Sequence, residues 1–179
     1  MTKALTALAG LLRLMRPWDW PRNLLLLVPV AFAARAYDMA LASNVGLALL
    51  LLCAASSAIY ILNDVIDRRL DAQHPLKQQR PLASGAVHPA AALFLAAVLA
   101  AASLALAWRF NGLFCEVLAM YLALGTLYCV LLRRIAILDV LAVGLLYVLR
   151  VNAGAALLAT QVSVWMVAVV FLFGVFAAL

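Results

Sequence analysis

The sequence predicts an all-α integral membrane protein, a polytopic helical bundle with about six transmembrane helices in this chain. Three observations carry that expectation. Hydrophobic residues make up 69% of the chain and charged residues only 11%, far below the roughly 25% charged of a soluble domain, and mean hydropathy is +1.13. Most apolar runs are about 18 to 25 residues long, which at about 1.5 Å per residue crosses the roughly 30 Å hydrocarbon layer. No stretch alternates polar and apolar residues as a barrel strand does, so the spans are helices.

The spans read, in order, 23–34, 45–65, 89–108, 113–132, 137–158 and 163 onward. The first is short and either tilted or begun nearer Trp18. It lies behind Arg13, Arg16 and Arg22, which reads as a retained span and not a cleaved leader. With the N-terminus in the cytoplasm, Lys3, Arg13, Arg16, Arg22, Arg68, Arg69, Lys77, Arg80, Arg133 and Arg134 lie inside, against Arg35 and Arg109 outside. That asymmetry assigns the segment after Asn63 to the cytoplasmic face, in a bacterial inner membrane. Trp18, Trp20, Trp108 and Trp165 fall at span ends, where indoles favour the interface. The net charge of +6 then reflects topology and attraction to the anionic bilayer, with no nucleic acid needed to explain it. Cys53, Cys115 and Cys129 lie inside spans and predict neither a disulfide nor a zinc site.

The segment NDVIDRRLDAQHPLKQQRPLASG, residues 63–85, breaks the apolar pattern. If the second helix continues past the membrane surface, Asn63, Asp64, Asp67 and Asp71 sit at about 0°, 100°, 40° and 80° around its axis and share one face. Carboxylates so grouped repel unless a cation sits among them, and magnesium takes hard oxygen ligands together with substrate phosphates. The plainer alternative is a solvated helix end paired with Arg68 and with bases of the following loop. Negative charge at a helix C-terminus is disfavoured by the macrodipole, which argues for a compensating cation.

In the continuation HPLKQQRPLASG, Pro75 and Pro81 end the helix. Lys77 and Arg80 supply donors for phosphate oxygens. Acids for a metal and bases for phosphates thus flank one place. His74 is a further candidate contact to a phosphate or a hydroxyl, against the plainer reading of a structural loop histidine.

NDVIDRRLD resembles the N/D-D-x-x-D-x-x-x-D signature of the UbiA-type intramembrane prenyltransferase superfamily, and its place after the second span is similar too. The continuation and RPWDWPRNLLLLVPVAFA look closest to the branch that contains decaprenyl-phosphate phosphoribosyltransferase, whose opening element reads R-P-x-x-W-x-K-N. Arg16, Pro17, Trp20 and Asn23 keep that pattern, and Arg22 replaces its lysine. The resemblance implies Mg2+ as cofactor, held by Asp64, Asp67 and Asp71. It implies substrate contacts from Asn63, Lys77, Arg80, Arg22, Asn23, Arg16, Tyr60, His74 and Arg150.

It also implies a bundle of nine helices with two facing acidic motifs. Residues 1–179 show the first motif only, since after Glu116 the sole carboxylate side chain is Asp139. The chain is therefore expected to be a single domain of this type, equivalent to its N-terminal two-thirds, with an incomplete site. Arg150 lies deep in the fifth span, in YVLRVNAG, which is similar to the family's fifth helix. Facing a cavity it would hold a lipid phosphate; otherwise it snorkels or bonds a broken helix.

The family's chemistry leaves two mechanisms. In one, phosphoribosyl pyrophosphate is the donor and a polyprenyl phosphate arriving from the bilayer is the acceptor. In the other, a prenyl diphosphate alkylates an aromatic acceptor, with Tyr60, Tyr121, Tyr128 or Tyr147 shielding the carbocation. The hydrophilic HPLKQQR loop favours the first, because its donor carries an additional phosphate. A small transporter is the alternative from another class, but its ionisable groups belong near the bilayer midplane, where only Arg150 qualifies.

Overall fold

A computed structural model describes residues 9–33 and 39–179, and among them every regular element is helical. Lys3, Arg35 and the end of the first expected span lie outside the described residues. Residues 9–14 are helical. A 3-10 segment, Pro17–Leu26, leads into α1 (Leu27–Phe32), followed by α2 (Met39–Gln73), α3 (Pro89–Phe110) and α4 (Gly112–Val130). The 3-10 turn Leu132–Arg134 then leads into α5 (Ala136–Leu157) and α6 (Val164–Ala178).

Four helical stretches are long and apolar enough to cross a membrane: Leu41–Gln73, Pro89–Phe110, Gly112–Arg134 and Ala136–Leu157. They match the second to fifth expected spans. The sixth expected span corresponds to α6, which is apolar but only 15 residues long. The first departs from expectation. In place of one helix over 23–34, the chain runs as the 3-10 segment and then the six-residue α1. Pro17 opens the 3-10 segment, Pro21 lies inside it and Pro29 lies inside the expected span; a proline in a helix interior removes an N–H donor and its ring collides with the carbonyl four residues back. Arg16, immediately before Pro17, adopts φ 50° in the left-handed region, outside the right-handed helical region that the following proline ring disfavours.

The bundle is organised around α2 and α5. The apolar windows of both are 61% buried, against 17% for α3 and 28% for the α4 stretch, so α3 and α4 turn most of their surface outward. Leu51, Leu52, Ala55 and Ile59 of α2 pack with Phe114, Leu118 and Tyr121 of α4 in the main core. Two glycines allow the closest approaches. A Cβ on Gly154 would collide with the Leu26 carbonyl, so α5 lies directly against the Pro17–Leu26 segment. A Cβ on Gly174 would stand 2.8 Å from the Cα of Gly144, where α5 and α6 cross. Asn111 alone turns α3 into α4, its side chain accepting from the Phe114 N–H.

At 35 residues, α2 is about 52 Å long at 1.5 Å per residue, well beyond the roughly 30 Å hydrocarbon layer. Its polar end, 63–73, therefore projects from the apolar bundle. The residues just before Pro17, the loop 74–88 and the turn Leu132–Arg134 all meet that end.

Candidate active site

The carboxylates of α2 are held by arginines from three other places in the chain. Arg16 donates from Nη2 to Oδ1 of Asp64 at 2.5 Å. Arg80 donates from a single nitrogen, Nη1, to Oδ1 of Asp64 at 3.3 Å and to Oδ2 of Asp71 at 2.7 Å. Arg133 donates from Nη1 to Oδ2 of Asp67 at 2.5 Å and to Oδ1 of Asn63 at 2.9 Å. The Asn63 amide in turn donates to Oδ2 of Asp67 at 3.2 Å. Asp64 and Asp71 are buried, with 3% and 4% of their surface exposed, which a carboxylate tolerates only with partners of this kind.

The shared face expected for these four residues splits into two groups. Asp64 and Asp71, seven residues and about two turns apart, meet at Arg80, whereas Asn63 and Asp67 meet at Arg133. Among the described residues no three or more His, Cys, Asp or Glu side chains converge as a metal site. The donor chemistry nevertheless suits magnesium. All the side chains are hard oxygen donors, and one or two carboxylates suffice when phosphates and waters complete the shell. Arg68, the expected local partner, makes no ion pair with these acids among the described residues; the distant Arg16 and Arg133 take that place.

Beside the acids a cavity of about 220 Å³ leads inward, lined by Arg16, Arg22, Tyr60, Asn63, Tyr121 and Arg150 among others. The Arg16 guanidinium stands 5.5 Å from the Tyr60 ring centroid. Asp19 lies 3.3 Å from Arg22. Burial opposes the charge on Arg22, but Asp19, Tyr60 and Tyr147 outweigh it and raise its pKa above the usual value.

At the inner end Arg150 is buried, its Nε donating to Oδ1 of Asn23 at 3.0 Å and its Nη2 to the Tyr121 hydroxyl at 2.9 Å. Its Nη1 donates to the Leu146 carbonyl, and the guanidinium sits 5.1 Å from the ring centroids of both Tyr121 and Tyr147. Arg150 therefore does not snorkel to an interface; it faces the cavity wall and bonds the irregular Pro17–Leu26 segment.

Asn23, 1% exposed, ties that segment to α2 by donating from Nδ2 to Oγ of Ser56 at 3.0 Å and to Sγ of Cys53 at 3.3 Å. Trp20, expected at an interface, instead donates from Nε1 to Oγ of Ser57 at 3.1 Å. Cys53, Cys115 and Cys129 are free thiols, as expected.

Lys77 and His74 stay on the exposed loop. His74 Nδ1 accepts from the Leu76 N–H, a turn contact, and Lys77 makes no ion pair with the acids among the described residues. Arg133 is the member of the site that sequence reading did not single out; Tyr121, named there only as a ring to shield a carbocation, accepts from Arg150 through its hydroxyl. Arg133 had one usable signal, its place directly after the fourth span on the same side as the acids.

The model of the UbiA prenyltransferase family matches residues 6–179. The chain belongs to the UbiA family. Among its relatives are two decaprenyl-phosphate phosphoribosyltransferases. That of Mycolicibacterium smegmatis is 37% identical over 161 residues, covering 88% of this chain and 51% of the relative. That of Mycobacterium tuberculosis is 35% identical, covering 88% and 53%. The chain thus spans about half the length of these relatives.

A solved structure of a UbiA homologue from Archaeoglobus fulgidus, bound to GPP and Mg2+, superposes with a TM-score of 0.77 at 25% identity. It covers 93% of this chain and 60% of that one. In this chain the acidic face stands at one end of the bundle, beside a cavity lined by α2, α4 and α5.

Proposed function

We propose that this chain forms the donor side of a magnesium-dependent UbiA-family transferase. It moves a 5-phosphoribosyl group from phosphoribosyl pyrophosphate to a polyprenyl phosphate, in a bacterial cytoplasmic membrane with the acid end facing the cytoplasm. The observation that carries this reading is the buried Asp64–Asp71 pair joined through Arg80. Two carboxylates suited to a metal and a cation suited to phosphate there stand within one hydrogen bond of each other, beside the cavity.

Asp64 and Asp71, together with Asp67 and Asn63 of the same helix, would hold Mg2+, which when bound neutralises charge on the departing diphosphate. Arg80 and Arg16 orient the diphosphate through charge-assisted hydrogen bonds. Arg22, on the cavity wall and half exposed, faces the additional phosphate of the donor. The polyprenyl phosphate slides in from the bilayer with its head group toward Arg150 and Tyr121. One of its phosphate oxygens forms a bond to ribosyl C1 as the C1–O bond to diphosphate breaks, and diphosphate leaves. The cavity's apolar wall, including Ile59, Val143 and Leu146, excludes competing water.

The names of the two mycobacterial relatives support this donor and acceptor. A second reading, prenyl transfer to an aromatic acceptor, is favoured by a different observation. Tyr60, Tyr121, Tyr128 and Tyr147 all line the cavity, rings of the kind that suits a carbocation, although those of Tyr60, Tyr121 and Tyr147 already carry a guanidinium, and the archaeal homologue was solved with GPP. The two separate by donor. Membranes containing the natural gene product that carries this chain are supplied with Mg2+ and either labelled phosphoribosyl pyrophosphate with polyprenyl phosphate, or a labelled allylic diphosphate with an aromatic acceptor. Product from the first pair alone supports the proposal; product from the second pair alone replaces it.

A further inference from the structure

Arg68 and Arg69 of α2 make no ion pair among the described residues, because the acids of the same helix end are taken by Arg16, Arg80 and Arg133. They line a cavity of about 330 Å³ between the end of α2, the loop that follows it and the start of α3. His88 shares this cavity, and no acid lines it. The His88 Nδ1 accepts from the Ala90 N–H at 3.2 Å, so the neutral ring carries its proton on Nε2 and donates there. Two guanidinium groups, an imidazole N–H and the positive end of the α3 dipole thus meet in one place.

The place lies at headgroup depth. α3 is 22 residues long and apolar enough to cross a membrane, and it begins at Pro89, which also lines the cavity. Arg68, Arg69 and His88 therefore stand where the hydrocarbon ends. Farther along the seam between α2 and α3 is a second cavity, about 230 Å³, lined by Ala58, Leu62, Leu93, Ala97 and Ala100 among others. Ala58, Leu62 and Arg69 recur at helical spacing on one face of α2, and Pro89, Leu93, Ala97 and Ala100 on one face of α3. The two cavities thus follow a single seam, cationic at its end and apolar within. From Arg69 to Ala58 is about 16 Å along the helix at 1.5 Å per residue, close to the roughly 15 Å hydrocarbon depth of one leaflet.

From this juxtaposition we infer that the seam between α2 and α3 binds one anionic phospholipid of the bilayer. Its phosphate is held by Arg68, Arg69 and His88, and an acyl chain lies along Leu62, Leu93 and Ala97. Charge and depth together choose the occupant, since a soluble phosphate would use the cationic end and leave the apolar groove empty. The seam is separate from the reaction cavity. Tyr60 and Asn63, which line that cavity, lie about 100° or more around α2 from Leu62. Ile59 is the one lining residue that cavity and groove share. The lipid is a structural ligand on the outer side of α2, and its binding does not depend on the donor reading above.

The test is native mass spectrometry of the natural gene product that carries this chain, in detergent, titrated separately with phosphatidylglycerol, phosphatidylcholine and polyprenyl phosphate. A basic residue at headgroup level raises affinity for an anionic lipid about fivefold, so wild type is expected to hold its first phosphatidylglycerol at least about tenfold more tightly than phosphatidylcholine. Arg68→Gln combined with Arg69→Gln is expected to bring that ratio within about twofold. Neither arginine bonds another described residue, so this variant is expected to unfold at the wild-type temperature. Arg13→Gln combined with Arg134→Gln removes two exposed charges that do not line the cavity, and is expected to keep the preference. Ala97→Phe, at an exposed position, fills the groove and is expected to weaken both phospholipids about fivefold.

Equal affinity for the two phospholipids in wild type overturns the site, as does the same loss of preference in both double variants, which would trace it to surface charge alone. Unchanged binding by Ala97→Phe overturns the acyl-chain groove and leaves a cavity for a soluble phosphate. Displacement of phosphatidylglycerol by polyprenyl phosphate, abolished by Arg68→Gln with Arg69→Gln, overturns the occupant and makes the seam a substrate's site.

Discussion

Arg150 donates through Nε to Oδ1 of Asn23 across 3.0 Å, joining residues 127 positions apart. An arginine at this depth is costly unless it faces the bundle interior with fixed partners, and Asn23 is the partner that lets the Pro17–Leu26 segment lie against α5. The same asparagine reaches Ser56 and Cys53 of α2. One buried amide thus sets the spacing of three elements that surround the cavity.

Asn23→Leu keeps the branched outline of the side chain, at somewhat larger volume, and removes both functions of the amide. Leaving a buried Nε without its acceptor costs about 1–3 kcal/mol, more for a charged group, so the purified protein in detergent is expected to melt at a clearly lower temperature. Asn23→Asp, which retains an acceptor, is expected to lose less. Equal melting of wild type and Asn23→Leu would remove Asn23 from this role.

Gly154→Ala is a purely steric test. Its Cβ would meet the Leu26 carbonyl, backbone that cannot rotate away, and overpacking of this kind costs about 1–3 kcal/mol. Gly46→Ala, with nothing within 4 Å, is expected to be neutral or to stabilise α2 by about 0.5–1 kcal/mol. Thermal unfolding of the two variants side by side reads the difference.

Arg80→Ala and Lys77→Ala separate two bases that lie three residues apart in one loop. Arg80 bonds two buried carboxylates, whereas Lys77 is exposed. A charged hydrogen bond contributes about 1.5–3 kcal/mol, so Arg80→Ala is expected to raise the donor KM by about tenfold or more. Lys77→Ala is expected to change it less than about threefold. Donor titrations in membranes check both, and equal effects would place the loop's phosphate contact elsewhere.

The long helices were legible because run length alone decides them, and 45–65, 89–108, 113–132 and 137–158 correspond to α2 through α5. The first span was not, because its hydropathy gives no weight to Pro17, Pro21 and Pro29, which break the hydrogen-bond ladder without making the stretch polar. Helical spacing brought Asn63, Asp64, Asp67 and Asp71 to one face of α2. Their division into an Asp64–Asp71 and an Asn63–Asp67 group, and the partners that divide them, did not follow from it. Arg16 is 48 residues from Asp64 and Arg133 is 66 from Asp67, and no local pattern links them. Composition could only count these arginines toward membrane orientation, whereas the fold gives each a specific carboxylate.

The most direct test of the donor-site account is label transfer with and without one carboxylate. Membranes carrying the natural gene product receive Mg2+, polyprenyl phosphate and labelled phosphoribosyl pyrophosphate, with Asp67→Asn in parallel and membrane insertion measured for both. The account predicts magnesium-dependent label in the lipid phase for wild type, none for Asp67→Asn, and equal insertion. Undiminished transfer by Asp67→Asn would contradict the metal-site assignment, and no lipid label from wild type would contradict phosphoribosyl transfer itself.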